Sequence, residues 1–243
     1  MIKYLFTGFV FFLAGFVQGL TGFAFALLAV PLLSLIGPLR NAVGLVASVA
    51  LISILYSYYL HKKEVSYREI LPLSLFAVAL IPLGAIFLVK MPEHIATIAL
   101  GLVIVTLAVF SLKRRQTKST LLQKRWIGFL FAGISGLLGG AFSAPGPIVI
   151  AYLYATNPSP LQAKANTQLF FTFTSVALFL VHLIGGTITA PILFQSIPLI
   201  PISLLGTHLG VRLSRILPTP ALSLLTNLGM IVLGIYLIVS RFP

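Results

Sequence analysis

The chain has 243 residues, of which 59% are hydrophobic and only 8% are charged. Water-soluble domains carry about 25% charged residues, so this composition excludes a soluble fold and indicates a polytopic membrane protein. The formal net charge of +13 does not indicate nucleic-acid binding, because the positive charges crowd two connectors, as in cytoplasmic loops of membrane proteins, without interleaved aromatic residues.

Several kinds of chemistry lack the residues that they need. Cysteine and aspartate are absent, and the only acids are Glu64, Glu69 and Glu93, in or beside connectors. Disulfides and cysteine-ligated metals are therefore excluded, and hard cations lack carboxylate ligands in the apolar runs. We expect no metal and no cofactor, and a pathway for anions rather than for metal cations.

The first apolar run, 4–39, is too long for one ordinary membrane span. We interpret it as two helical pieces that meet near Gly19–Gly22. Lys3 ahead of an apolar region is also found in signal peptides. A retained segment is favoured, because no small-x-small cleavage site stands out and the apolar run continues.

Three single spans follow this run, and tyrosines beside Lys62 and Lys63 mark a headgroup boundary after the first of them. These spans are predicted at 41–60, 70–89 and 94–112.

The second half repeats the plan of the first. Pro72 corresponds to Pro198 and Pro92 to Pro218, both at an offset of 126 residues, and such matches in the same order indicate an internal duplication. The sequence therefore predicts three units: a first membrane repeat (1–112), a basic cytoplasmic connector (113–125) and a second membrane repeat (126–243).

The run 126–163 contains no charged residue but is interrupted at Ser143–Pro147. A continuous helix cannot pass through this segment, because proline removes backbone donors and clashes with the preceding turn. Two pieces of about 14 residues are expected, each too short to cross. Unpaired backbone groups inside a membrane are tolerated only where they are buried in protein or line a cavity, so the break predicts a binding site.

Positive charges give two topologies. If each broken segment returns to its starting side, the halves are inverted, with twelve Lys and Arg inside and four outside; eight single crossings with parallel halves give eleven and five. The first arrangement is favoured, and broken helices that meet at the midplane recur in transporters. We predict an all-α polytopic membrane protein with two homologous, inverted repeats, each a broken or re-entrant helix pair plus three transmembrane helices.

Two stretches resemble a known family. Gly15–Ala26 (GFVQGLTGFAFA), followed by Val30–Leu33, resembles the first signature of the TauE/SafE family of sulfite-exporter-type permeases. Gly136–Phe142, followed by Gly146–Val149 and Tyr152, resembles the second. The resemblance implies transport of sulfite, sulfonates or related anions across the bacterial inner membrane, and it suggests a homodimer.

Candidate site residues flank the two breaks. The N-termini of half-helices offer free N–H groups and the positive end of a dipole, and uncharged amides and hydroxyls donate to oxyanions. The candidates for substrate binding are Gln18, Gly19, Thr21, Gly22, Phe23, Ser143, Pro145, Gly146, Asn166 and Gln168. The alternative for the glycines and polar side chains is helix–helix packing.

Four further residues have candidate roles. Arg40 and Lys164 would guide an anion, or they are cations that reach the headgroups. His182 and His208 are the side chains of the second half's apolar stretches that titrate near neutral pH. Either would serve as a proton site, and the alternative for each is a packed neutral histidine.

The residues favour a secondary transporter that works by alternating access. A P-loop is absent, so the energy would come from a gradient. An anion channel built from the same half-helices is the alternative, and an intramembrane enzyme lacks a nucleophile–base set. The expected partners are a small anionic substrate and membrane lipid, not nucleic acid.

Overall fold

The computed structural model describes residues 2–113, 124–157, 159–214 and 219–240. Within these residues six helices are long and apolar enough to cross a membrane, so the chain is an all-helical, multi-pass membrane protein. The predicted connector 113–125 lies largely outside the described residues. The described helices are α1 (Ile2–Thr21), α2 (Phe25–Ser34), α3 (Leu39–His61), α4 (Tyr67–Lys90), α5 (Glu93–Lys113), α6 (Arg125–Phe142), α7 (Gly146–Thr156), α8 (Pro160–Ile184), α9 (Ala190–Leu213) and α10 (Thr219–Val239), with a short 3-10 turn at Lys62–Glu64.

Both predicted breaks are present. In each half a long helix is followed by a short one: α1 and α2 have 20 and 10 residues, and α6 and α7 have 18 and 11. The expectation of two pieces of equal length was wrong. The longer pieces rise about 27–30 Å and the shorter ones about 15 Å, so only the longer pieces are long enough to cross a membrane.

Left-handed backbone ends the first helix of each broken pair. Gly22 has a φ of 84° and Ser143 a φ of 54°, and each donates its N–H to the carbonyl four residues earlier, at 2.7 Å. Ala24, with a φ of 80°, completes the first break. Such residues stop a helix while still satisfying one of its last carbonyls, so each chain reversal is built from local hydrogen bonds.

Close glycine contacts fix the directions of distant helices. A Cβ atom at Gly15 would meet the backbone oxygen of Ser203, and one at Gly19 would meet that of Thr207. Residue numbers increase together, so α1 runs parallel to α9. The parallel pair α4 and α6 has corresponding contacts at Ala77–Gly136 and Ile81–Gly140.

Each broken pair returns to the face of the protein from which it starts. A Cβ atom at Gly37, between α2 and α3, would lie 3.8 Å from Nζ of Lys3 at the start of α1. In the second half, Gly128 near the start of α6 packs against the ring of Tyr152 in the last part of α7. The two short helices therefore run back along their partners.

The long helices start at two opposite faces. Leu39 at the start of α3 donates its N–H to Glu93 Oε1 at the start of α5, at 2.9 Å; this end, with the starts of α1 and α9, is the first face. Ser66 before α4 donates its N–H to Asn166 Oδ1 near the start of α8, at 2.8 Å; this end is the second face. Corresponding helices of the two halves thus run in opposite directions, as inverted repeats require, whereas the duplication itself stays a prediction.

Positive charge is concentrated at the second face. Cytoplasmic ends of membrane helices carry the excess of Lys and Arg, so we expect this face to be cytoplasmic. Among the described residues, the second face has Lys62, Lys63, Arg68, Lys113, Lys124, Arg125, Lys164 and Arg212, and the first has Lys3, Arg40 and Lys90.

Single cysteines test this orientation, because the natural chain has none. Thr189 is exposed at the first face and Lys63 at the second. We expect a membrane-impermeant maleimide to label Thr189→Cys in intact cells and Lys63→Cys only after permeabilisation. The reverse pattern would show that the first face, not the second, is cytoplasmic. Labelling of both cysteines in intact cells would contradict the placement of Thr189 and Lys63 at opposite faces.

Gly19 lies at a helix–helix interface. The backbones of α1 and α9 approach so closely that a methyl group at Gly19 would also come within 2.7 Å of Val211 N. Small residues permit such contacts between membrane helices. The structure therefore places this candidate substrate-binding residue against α9.

We expect Gly19→Ala to destabilise the protein by about 1–3 kcal/mol, the usual cost of overpacking. Gly8→Ala in the same helix is the matched control, because its methyl group would make an ordinary 3.6 Å contact with Ile202. Thermal unfolding in detergent measures both. Equal stability of the two variants would contradict the close α1–α9 packing.

Candidate functional site

Both breaks open on one cavity inside the protein. A small cavity of about 30 Å³ lies between the first break, the start of α2, the second break and the middle of α3 and α8. Ala50 and Phe171 line it and lie about half-way along α3 and α8. The cavity therefore lies near the middle of the membrane.

The N-terminal ends of α2 and α7 reach this cavity from opposite halves of the chain. Ala26 and Leu27, in the first turn of α2, line it together with Gly146, the first residue of α7. First-turn N–H groups have no acceptor within their own helix. The positive ends of two helix dipoles therefore lie beside one space.

Gln18 supplies a polar side chain to the cavity. It is only 2% exposed, and its Oε1 accepts the N–H of Phe25 at 3.3 Å. This hydrogen bond fixes which way the amide points, because only the oxygen can accept. Its Nε2 is buried without a partner among the described residues, so an N–H donor is available to a ligand in the cavity.

Comparison of the sequence with known protein families identifies the family of this chain. Residues 7–237 match the family model described as Sulfite exporter TauE/SafE. The chain belongs to the TauE/SafE family. No curated protein and no solved structure matches it. Membership of TauE/SafE implies a membrane permease of the sulfite-exporter type, since the members of this family are transporters.

The last carbonyls of α1 are occupied by donors. The Thr21 hydroxyl lies 2.8 Å from both the Val17 and the Phe23 carbonyls, and its single proton is donated to one of them at a time. Gln168 donates Nε2 to the Gly22 carbonyl at 2.8 Å, from α8. Thr21, Gly22 and Gln168 of this TauE/SafE protein therefore hold the first break in shape, and they do not line the cavity.

Five of the predicted site residues do line the cavity, namely Gln18, Phe23, Ser143, Pro145 and Gly146. The Ser143 hydroxyl lies 3.3 Å from the Val43 carbonyl of α3, to which it donates. This hydroxyl anchors the second break to α3. The side-chain donor left for a ligand among the described lining residues is thus the Gln18 amide, beside the N-terminal ends of α2 and α7.

Asn166 lies outside the cavity although it is fully buried. It accepts the Ser66 N–H through Oδ1 and donates Nδ2 to Asn157 Oδ1, at 2.8 and 2.5 Å. These bonds join the α3–α4 connector to the turn between α7 and α8. The structure thus places Asn166 as a joint at the second face.

The two candidate guiding cations lie in different surroundings. Arg40 donates to the carbonyls of Val89 and Met91 at the end of α4, so it caps a helix at the first face. The alkyl chain of Lys164 lies 3.5 Å from the Cβ position of Gly22, beside the first break. Only Lys164 is close to the breaks.

The candidate proton sites are also separate from the cavity. His208 Nδ1 pairs with the Tyr56 hydroxyl at 2.8 Å between α9 and α3, which is a structural contact. His182, near the end of α8, is fully buried, and neither ring nitrogen has a hydrogen-bond partner among the described residues. Neither histidine lines the cavity.

A larger hollow of about 510 Å³ lies at the second face. Its lining includes Glu69, Arg125, Tyr152 and Asn157, from the start of α4 and of α6 and the end of α7. Its position suits an entrance from the side that we expect to be cytoplasmic.

Sequence reasoning missed the cavity residues on the long helices. Ala50 and Ile54 of α3 and Phe171 of α8 form part of its wall, but an apolar residue in an apolar helix carries no local signal. Ala24 was also missed, because only its left-handed backbone distinguishes it from the alanines around it.

Proposed function

We propose that this protein is a secondary transporter that moves a small organic or sulfur-containing anion across the bacterial inner membrane by alternating access. The observation that carries the proposal is the shared cavity, where the N-terminal ends of α2 and α7 and the free Nε2 of Gln18 converge. Among the lining residues that the structure describes, none is acidic. The site therefore offers N–H donors and no negative charge to a ligand.

Burial of the cavity supports a carrier over an open channel. Gln18, Phe25 and Ala144, which line it, are each at most 5% exposed. A pore open at both ends would leave such residues in contact with water. A closed, central site is what a carrier has between its inward-facing and outward-facing states.

The second-face hollow fits one step of this cycle. It is bounded by the start of α6 and the end of α7, which are the two ends of this helix pair away from the second break, with Tyr152 of α7 in its wall. A shift of α7 relative to α4 would bring the hollow and the cavity closer together. We propose that the substrate exchanges with the cytoplasm through this opening.

Transport by purified protein in liposomes tests the proposal. Uptake of labelled methanesulfonate or sulfite should saturate, and an excess of unlabelled substrate inside should accelerate it by counterflow. Flux that rises linearly with concentration and shows no counterflow would instead indicate the anion channel. No flux of any small oxyanion would contradict both.

A further inference from the structure

We infer that the cavity selects small anions with a single negative charge and discriminates against dianions of similar size. This inference rests on the proposed function and specifies its substrate. It follows from the amount of positive charge that the described residues place around the cavity, together with the neutral donor of Gln18.

The positive charge that helix ends supply to the cavity is at most about one unit charge. Each helix N-terminus is equivalent to roughly half a positive charge, and two of them, from α2 and α7, reach the space. The described lining contains no lysine, arginine or histidine. A monoanion is balanced by this field, whereas a dianion leaves about one charge uncompensated in a site of low dielectric constant.

The opposite helix ends do not raise this total. The C-termini of α1 and α6 lie at the same breaks and carry partial negative charge. Their last carbonyls accept hydrogen bonds, such as those from Gln168 Nε2 to Gly22 and from Ser143 N–H to Gly139. These bonds weaken the negative ends, and what remains of them further disfavours a second negative charge on the ligand.

Gln18 adds recognition without adding charge. Its Nε2 is a neutral donor, buried and unpartnered among the described residues, so it can bind an oxygen atom of a sulfonate or of hydrogen sulfite. Lys164 lies beside the first break. Its alkyl chain packs on Gly22, and it does not line the cavity, so it does not act as a second counter-charge there.

Binding of three anions to the purified protein tests the selectivity. Methanesulfonate is a monoanion and sulfate a dianion throughout the usable pH range, whereas sulfite changes between the two forms near neutrality. We expect sulfate to bind roughly 100-fold more weakly than methanesulfonate, because an uncompensated buried charge costs several kcal/mol. Sulfite affinity should fall as the pH rises, while methanesulfonate affinity, measured in parallel, should stay constant.

The outcomes separate this inference from the proposed function. Sulfate binding within a few-fold of methanesulfonate, or sulfite affinity that rises with pH, would overturn the inference and leave the transporter intact. Dianion binding that is lost in Lys164→Met would assign the second charge to Lys164 and would also overturn it. No binding of any anion, with no transport in liposomes, would contradict the proposed function itself.

Gln18→Glu tests the neutral donor. The substitution keeps an oxygen for the Phe25 N–H but replaces the free N–H₂ group by a group that carries negative charge when it ionises. We expect methanesulfonate affinity to fall by at least about tenfold. The control is Gln162→Glu, the same change on a half-buried side chain at the second face that does not line the cavity, which should bind as the natural protein does. Unchanged affinity in Gln18→Glu would contradict the role of Gln18.

Discussion

Replacing Gly146 by leucine should reduce anion transport to the level of protein-free liposomes. Gly146 is the first residue of α7 and lines the cavity. A Cβ atom there would lie 3.5 Å from Phe171 Cζ and 3.9 Å from Phe23 Cβ, which is ordinary contact. The three further carbons of leucine would have to occupy the space that we assign to the substrate, because aromatic and backbone atoms surround it.

The effect should be on transport far more than on folding. Gly146 has no positive φ, so a side chain does not strain its backbone. Gly229→Leu in α10 is the matched control, since a Cβ atom at Gly229 would meet nothing within 4 Å, and it should transport normally. Initial uptake rates, together with gel filtration of both variants, decide the matter. Normal transport by folded Gly146→Leu protein would place the substrate elsewhere.

The breaks could be predicted from the sequence because their cause is local. Glycine at position 22 permits a left-handed backbone, and proline at positions 145 and 147 restricts φ and removes an N–H donor. Inside a membrane such backbone must be buried in protein or line a cavity. The count of Lys and Arg inside and outside favoured inverted halves for a similar reason. It uses only the order of spans and connectors along the chain. These predictions needed no knowledge of which helices touch.

Side-chain roles could not be predicted in the same way, because their partners are distant in sequence. Gln168 bonds to a carbonyl 146 residues away, and His208 to Tyr56 across 152 residues. Gly19 illustrates the same limit, since glycine serves both helix packing and ligand approach, and only the position of α9 separates the two. Of the residues assigned to a site from their chemistry alone, some therefore line the cavity and others hold helices together.

Among the candidate site residues that the structure places outside the cavity, Asn166 should matter most for stability. The sequence places it beside the second turn as a donor to the substrate, whereas the structure shows both ends of its amide bonded to protein groups. Replacing it by alanine would leave the Ser66 N–H and Asn157 Oδ1 without their partner. We expect Asn166→Ala to lose about 1–3 kcal/mol of stability, because the fully buried amide bonds two groups of half-buried residues, and a buried group left unsatisfied costs about 1–3 kcal/mol.

The matched control is Gln162→Ala, which removes a bond to the same connector, from Nε2 to the Ser66 hydroxyl at 3.2 Å. Gln162 is only half-buried and its bond is long, so water can replace that bond, and we expect a loss of less than about 1 kcal/mol. Thermal unfolding of both variants gives the stability, and methanesulfonate titration of the folded fraction gives the affinity. If Asn166 only joins the two connectors at the second face, we expect Asn166→Ala to have lower stability and unchanged affinity for methanesulfonate. Unchanged stability with lost affinity would instead make Asn166 a substrate contact, because an amide that binds the ligand directly would be missed only when the ligand is present.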